Sequence, residues 1–97
     1  MVNKPFKVRW TIDALDSLKD IFDFYKFKSL QGAKNVKRDI LNSPKSVIYP
    51  EQYQIDEVDP RYRRIIVRDY KVLYKEIDGV IVIYDVICTL KKQKTQD

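Results

Sequence analysis

The stretch from residue 61 to residue 88, RYRRIIVRDYKVLYKEIDGVIVIYDVIC, constrains the fold more than any other part of the chain. β-Branched and aromatic residues alternate with polar ones here, and two short breaks interrupt the pattern, which predicts three consecutive strands. Asp69 marks the first turn, and Asp78-Gly79 is a two-residue hairpin turn of the favoured type. The predicted strands are 61–68, 70–77 and 80–88. They form an antiparallel meander, and the last strand is expected to be central because residues 80–83 are apolar on both faces.

This stretch also carries four arginines and two lysines. Alternation divides each strand into two rows of side chains on opposite faces. On the middle strand, one face carries Lys71, Leu73 and Lys75, and the opposite face carries Tyr70, Val72 and Tyr74. On the strand before it, one face carries Arg64, Ile66 and Arg68, and the opposite face carries Arg63, Ile65 and Val67. Lys71 is therefore expected near one of the arginine rows, where two or three cations would hold a phosphate or a carboxylate. The alternative is that these are ordinary charged residues on a solvated sheet face.

The residues before the meander predict one strand and then a helix. Residues 6–11 alternate apolar and polar side chains, with Phe6, Val8 and Trp10 facing inward. Thr11 or Asp13 then caps a helix of about four turns that ends near Phe27 or Ser29. The apolar face expected for this helix consists of Leu15, Leu18, Ile21, Phe22 and Tyr25.

A second, shorter amphipathic helix is predicted after a connector at residues 29–32. Its apolar positions are Ala33, Val36, Ile40 and Leu41, and Asn42-Ser43-Pro44 ends it because proline lacks the amide hydrogen and disfavours helix just before it. So short a connector makes the two helices antiparallel neighbours. Basic residues of the hairpin are interpreted as a solvated outer surface: Lys26, Lys28, Lys34, Lys37 and Arg38.

These elements together predict an α+β fold: an N-terminal strand, a helical hairpin and a three-stranded antiparallel meander. The resulting sheet is expected to be twisted and mainly antiparallel, with the helices on one face and an open, basic surface on the other. The chain of 97 residues is expected to form a single domain, residues 1–97.

The charge of the chain favours a polyanion or an acidic protein as its partner. The formal net charge is +5, from 19 basic and 14 acidic residues. Residues 51–60 carry four acids and no base, whereas residues 61–97 carry nine bases and five acids. The chain contains no histidine, so the usual general base and the commonest metal ligand are both missing. Chemistry would fall to Lys, Arg, Tyr, Cys or carboxylates, and we expect no metal and no cofactor.

Several other residues that could carry chemistry receive a structural interpretation. Asp56, Glu57 and Asp59 are expected in a solvated loop rather than around a divalent ion, because they show no ligand spacing. Cys88 is interpreted as a small buried residue at a strand end rather than a nucleophile. The tyrosines of the middle strand are interpreted as core or rim residues whose hydroxyl groups reach water. A single cysteine and the lack of a long apolar run predict a cytoplasmic protein that does not enter a membrane.

The order of strand, helical hairpin and basic meander resembles the RelE/ParE superfamily of toxins from type II toxin–antitoxin modules. Five segments carry this resemblance over nearly the whole chain: ALDSLKDIFDFY (14–25), YPEQ (49–52), YRRIIV (62–67), YKVLYK (70–75) and VIYDVICT (82–89). The resemblance implies a bacterial, plasmid-stabilising type of toxin that inhibits growth and is neutralised by a cognate antitoxin.

The superfamily has two functional arms, and the resemblance leaves both open. The favoured arm is ParE-like inhibition of DNA gyrase and replication. The alternative is a RelE-like, metal-independent endoribonuclease that cleaves mRNA on the ribosome. Lys71 stands where nuclease members commonly have arginine, and residues 89–97 lack the histidine or tyrosine that several nucleases use. A third hypothesis is a degenerate, nontoxic binding module.

The resemblance also implies roles for individual residues and partners. In the nuclease arm, the catalytic residues would be Arg64, Lys71 and Lys92. Binding of the target or the antitoxin would use Arg63, Arg68, Lys75, Lys91 and Tyr84. The antitoxin would bind through helix-in-groove and strand-addition contacts. The resemblance is compatible with a homodimer or a toxin–antitoxin hetero-oligomer.

Overall fold

A computed structural model describes residues 6–90 of the chain. Its elements follow the predicted order. They are β1 (Lys7–Trp10), α1 (Ile12–Lys26), α2 (Leu30–Asn42), a 3-10 helix (Ser43–Ser46), β2 (Arg63–Val67), β3 (Tyr70–Ile77) and β4 (Val80–Cys88). The four strands form one sheet in the order β1-β4-β3-β2, so the prediction of a central last strand is confirmed.

The hairpin of β3 and β4 forms because its turn has the backbone geometry that a tight antiparallel connection needs. Asp78 and Gly79 both have positive φ, at 51° and 81°, as the predicted two-residue turn requires. β3 is antiparallel to both β2 and β4. β1 pairs parallel with β4, which makes the sheet mixed. Sequence patterns had left the partner of β1 undefined.

α1 begins where Thr11 caps it. The Thr11 hydroxyl accepts a hydrogen bond from the amide of Ala14 at 3.1 Å, and the helix ends at Lys26, close to its predicted end. Its buried stripe is centred on Ala14 and Leu18, with Ile21 and Tyr25 packed against the core. The prediction that Leu15 belongs to this face was wrong, because Leu15 lies beside the stripe and is 46% exposed.

α2 starts earlier than predicted. Ser29 is its N-cap and accepts from the amide of Gly32 at 2.9 Å, so residues 30–32 are helical and do not belong to the connector. Ala33, Val36 and Ile40 are buried as predicted. The helices cover one face of the sheet, where the core comprises Ala14, Leu18, Val36, Ile40, Val47, Ile65, Tyr70, Val72, Tyr74, Ile81, Ile83 and Val86.

A β-bulge in β4 reverses which of its residues face the core. Leu73 pairs with Asp85 while Tyr74 pairs with Ile83, so Tyr84 is an extra residue on β4. Ile83 is buried before the bulge and Val86 after it. The bulge also connects β4 to the start of α1: Ser17 donates its hydroxyl hydrogen to Asp85 at 2.6 Å, and Thr11 donates to the carbonyl of Tyr84 at 3.2 Å.

Candidate functional site

The face of the sheet opposite the helices carries the candidate site, and we call it the outer face. On β3, Lys71 and Lys75 point to this face, while Tyr70 and Tyr74 are buried in the core. The register pairs Ile66 of β2 with Lys71, so Arg64 and Lys71 are diagonal neighbours on the outer face. The structure therefore brings together two of the three residues predicted for the nuclease arm.

Asp56 lies directly over these two cations. Its Oδ1 is 2.8 Å from the ammonium nitrogen of Lys71 and 3.9 Å from a guanidinium nitrogen of Arg64. Its Oδ2 accepts from the amides of Val58 at 3.2 Å and Asp59 at 2.8 Å. The carboxylate is thus satisfied on both oxygens, as a buried charge requires.

The prediction of a solvated acidic loop was wrong at Asp56, which is only 1% exposed. The expected open, basic face was wrong around Lys71, because residues 54–61 cross that part of the outer face, whereas Ile66 and Lys75 on the same face are exposed. We call residues 54–61 the strap. Under it, the side chain of Lys71 is only 12% exposed. Local sequence could not show this arrangement, since Asp56 and Lys71 are 15 positions apart.

The environment of Asp56 favours its ionised form. Burial by itself raises the pKa of this carboxyl group, but the hydrogen bonds from Lys71 and from the amides of Asp59 and Val58, together with the charge of Lys71, outweigh it. The pKa of Asp56 therefore lies below its ordinary value of 3.8. At neutral pH the strap presents a full negative charge to Lys71.

Arg64 binds the backbone of the strap. Its guanidinium donates to the carbonyl of Ile55 at 3.2 Å and to the side-chain oxygen of Gln54 at 3.1 Å, and its own amide donates to the carbonyl of Gln54 at 3.0 Å. In addition, the amide of Asp56 donates to the carbonyl of Tyr62 at 2.8 Å. Both cations on this part of the sheet are therefore engaged by one segment of the same chain.

A cavity lies on each side of the strap. One, of about 300 Å³, is bounded by Arg64, Ile66 and Cys88, and Asp56, Val58 and Lys71 form its strap side. The other, of about 340 Å³, also includes Asp56, Val58 and Lys71 and extends to Leu73, Tyr84 and Asp85. The strap thus separates two cavities over the sheet. Cys88 is exposed, so the prediction that it is buried was wrong.

Lys75 and Tyr84, both predicted to bind a partner, lie in an aromatic and cationic cluster on the outer face. The rings of Tyr62 and Tyr84 have centroids 4.7 Å apart. The Lys75 nitrogen lies 5.9 Å from the Tyr62 ring centroid, and the Arg61 guanidinium lies 5.2 Å from it. Arg61 also donates to both carboxylate oxygens of Asp59, at 2.8 and 2.7 Å.

The other predicted residues lie elsewhere. Arg63 is on the core side of β2 and donates to the carbonyl of Tyr53 at 2.8 Å. Arg68 was expected to share a face with Arg64, and this was wrong: its φ of 54° in the β2–β3 turn directs it to Asp39 of α2, at 2.8 Å. Lys91 and Lys92 fall outside the described residues.

A groove between α1 and α2 was missed by the sequence analysis. It comprises a cavity of about 410 Å³ lined by Phe22, Lys34, Lys37, Arg38, Leu41 and Asn42, and a smaller one lined by Leu15, Leu18, Lys19, Phe22 and Lys37. Apolar side chains form its floor, and basic ones form its rim. The sequence contains a signal for this groove, because the apolar face of α1 is broader than the stripe that the core buries. Leu15 and Phe22 were predicted to belong to the core instead.

Within residues 6–90, no group of three or more His, Cys, Asp or Glu side chains is placed to hold a metal ion. None of the helices in that range has both the length and the apolar character needed to cross a membrane.

The topology described above, with a helical hairpin on one face of a mixed four-stranded sheet, defines an α+β toxin fold of the RelE/ParE type. The sequence model of the family described as the ParE toxin of the type II toxin–antitoxin system parDE matches residues 8–91. The chain therefore belongs to the ParE toxin family, and the resemblance predicted from sequence is confirmed.

A solved toxin–antitoxin structure shows the same fold. A chain of the chromosomal ParDE toxin–antitoxin system from P. aeruginosa matches with a TM-score of 0.73 and 20% identity, over 86% of this chain and 95% of that one. A chain of the RelBE toxin–antitoxin complex from Mycobacterium tuberculosis matches with a TM-score of 0.49 and 19% identity, over 88% of this chain and 99% of that one. A search of curated proteins found no significantly similar sequence.

Proposed function

We propose that this toxin inhibits DNA gyrase, and thereby replication, and that a cognate antitoxin neutralises it. Membership of the ParE toxin family supports the gyrase-directed arm. The contact between Lys71 and Asp56 is the observation that favours the gyrase-directed arm over the nuclease arm.

A ribonuclease of the RelE type would need cations free to contact the scissile phosphate and to stabilise the charge that develops there. Lys71 has a carboxylate at 2.8 Å and little contact with solvent. Arg64 is engaged with the backbone and side chain of the strap. With the strap in this position, neither cation is available to a substrate, which favours a toxin that acts by binding. A ribosome-dependent, metal-independent nuclease is the second candidate.

The proposal places the antitoxin in the groove between α1 and α2. An apolar floor with a rim of Lys19, Lys34, Lys37 and Arg38 matches an amphipathic helix whose polar side is acidic. The net charge of +5 favours such a partner at longer range. Titration of the purified toxin with its antitoxin would show whether the complex is hetero-oligomeric.

For the gyrase target, the proposed contact surface is the cluster around Lys75 and Tyr84. Lys75 is exposed, and the adjacent Tyr62 and Tyr84 rings offer an aromatic surface of the kind enriched at binding hot spots. Arg63 and Arg68 are not part of this surface, because Arg63 lies on the core side of β2 and Arg68 turns toward Asp39 of α2.

The deciding experiment measures supercoiling by purified gyrase and, separately, mRNA cleavage with and without ribosomes. We expect the toxin to inhibit supercoiling and to leave mRNA intact. Lys75→Glu should weaken inhibition, while Lys45→Glu, an equal charge change at an exposed position on the 3-10 helix, should not. Cleavage that needs ribosomes would refute the gyrase proposal. Normal growth after expression without antitoxin would indicate a nontoxic binding module.

A further inference from the structure

The strap is bound to the sheet mainly through charged and polar contacts. Its apolar side chains do not anchor it, because Val58 is 75% exposed and Ile55 is also exposed. The contacts beneath it converge on Arg64 and Lys71, which take a carboxylate, a carbonyl and an amide oxygen from the strap. Backbone hydrogen bonds also join the strap to β2 and the residue before it, from the amide of Arg64 to Gln54 and from the amide of Asp56 to Tyr62. Unlike these backbone bonds, the contact that the Asp56 carboxylate makes with the cations can be exchanged for that of another anion.

The cavities on both sides of the strap leave room for another anion to reach the two cations. They share Asp56, Val58 and Lys71 as lining residues, so the strap is what divides the space over the sheet into two. If the strap lifted, the two spaces would join above Lys71 and Arg64. The opened site would then hold two cations from adjacent strands and no carboxylate between them.

We propose that Lys71 and Arg64 form an anion site that the chain's own Asp56 occupies, and that a phosphate group can displace the Asp56 carboxylate and take its place. The Oδ1 atom of Asp56 stands where one phosphate oxygen would lie, with the Lys71 ammonium 2.8 Å away. A phosphate offers further oxygens to the fork of the Arg64 guanidinium, which Asp56 approaches only to 3.9 Å. A phosphate can therefore contact both cations at hydrogen-bonding distance, which the Asp56 carboxylate does only for Lys71.

This site is latent in the closed form. The apparent affinity for phosphate is lowered by the fraction of molecules in which the Asp56 carboxylate is away from the two cations. Because Asp56 is tethered to the site, it competes at a high effective concentration. Removing its charge should therefore raise phosphate affinity directly. The inference rests on the same closed strap that favours the gyrase arm: in the wild type Asp56 keeps both cations occupied, and phosphate binds only weakly. Its test uses the purified toxin alone, so it can fail while the gyrase proposal stands.

The test is binding of inorganic phosphate to the purified full chain, followed by amide NMR and calorimetry. We expect Asp56→Asn to bind phosphate at least tenfold more tightly than the wild type. The double variant Asp56→Asn with Lys71→Met should lose that gain. Glu57→Gln is the matched control, because it removes an exposed negative charge from the same strap, and its affinity should equal that of the wild type.

Three results would overturn the proposal: no gain for Asp56→Asn, an equal gain for Glu57→Gln, or a gain that survives the loss of Lys71. If Asp56→Asn does not fold, phosphate binding to the wild type is the test. Phosphate should then shift the amide resonances of Val58 and Asp59 saturably, whereas chloride at equal ionic strength should not, and the absence of this shift refutes the site. A dinucleotide that binds more tightly than inorganic phosphate would assign the site to a nucleic-acid backbone, and the reverse would assign it to free phosphate.

Discussion

The ammonium nitrogen of Lys71 lies 2.8 Å from Oδ1 of Asp56, and both side chains are largely withdrawn from solvent. The pair joins the middle of β3 to the strap, which has no regular secondary structure of its own apart from a single bridge between Ile55 and Arg63. A residue that sequence alone suggested for catalysis therefore has a structural partner.

The first prediction concerns the energetic coupling of Asp56 and Lys71. Lys71→Met should lower the free energy of unfolding by about 3 kcal/mol, because it leaves a buried carboxylate without its counter-charge. Adding Asp56→Asn to that variant should recover a large part of the loss. Urea unfolding of the wild type, both single variants and the double variant measures the coupling. Strictly additive effects would show that the contact contributes nothing of its own.

The second prediction concerns stability at acid pH. The pKa of Asp56 is lower in the folded chain than its ordinary value of 3.8, so the folded state binds fewer protons at this group than the unfolded state does. Its contribution to stability is complete above the ordinary pKa and is lost as the pH falls through the folded pKa. Melting temperatures measured from neutral pH to below 3.8 should therefore fall more steeply for the wild type than for Asp56→Asn. Parallel curves for the two proteins would contradict this.

The third prediction tests the antitoxin groove. Leu15→Lys should weaken antitoxin binding at least about tenfold, because it places a charge on the apolar floor of the groove. The folded chain should tolerate it, since Leu15 is 46% exposed. Ile77→Lys is the matched control: Ile77, at the end of β3, is 44% exposed and lies outside the groove. Calorimetric titration with the antitoxin compares them, and equal effects would place the antitoxin elsewhere.

The fourth prediction concerns how the segment before the strap is fixed to the sheet. The Tyr74 hydroxyl is fully buried and donates to the carbonyl of Pro50 at 2.9 Å. Tyr74→Phe should cost about 1 to 3 kcal/mol, because it leaves that carbonyl without its donor. Burial raises the pKa of Tyr74, so this contact should persist through the alkaline range in which an exposed tyrosine ionises. Urea unfolding measures the cost, and an unchanged midpoint would show that water replaces the hydroxyl.

The local elements were predictable because their causes are local. Alternation and the Asp78-Gly79 turn defined β3 and β4. Thr11 defined the start of α1 through a hydrogen bond with a residue only three positions away. The face of each β3 residue also followed from period-2 alternation alone. Predictions failed where the deciding contact was distant. Leu15 was placed in the core because helical spacing cannot show how wide a stripe the sheet covers.

Sequence by itself determined the order of the elements, the family and the inward residues of the middle strand, since each depends on spacing within one segment or on the succession of segments. Only the tertiary structure decided that β1 joins β4 in parallel, that Arg68 turns to Asp39, and that Asp56 neutralises Lys71. Those outcomes depend on which distant groups come within a few ångström when the chain closes. The low pKa of Asp56 has the same origin, because the charge of Lys71 and the amides that stabilise the carboxylate reach it only when the chain closes.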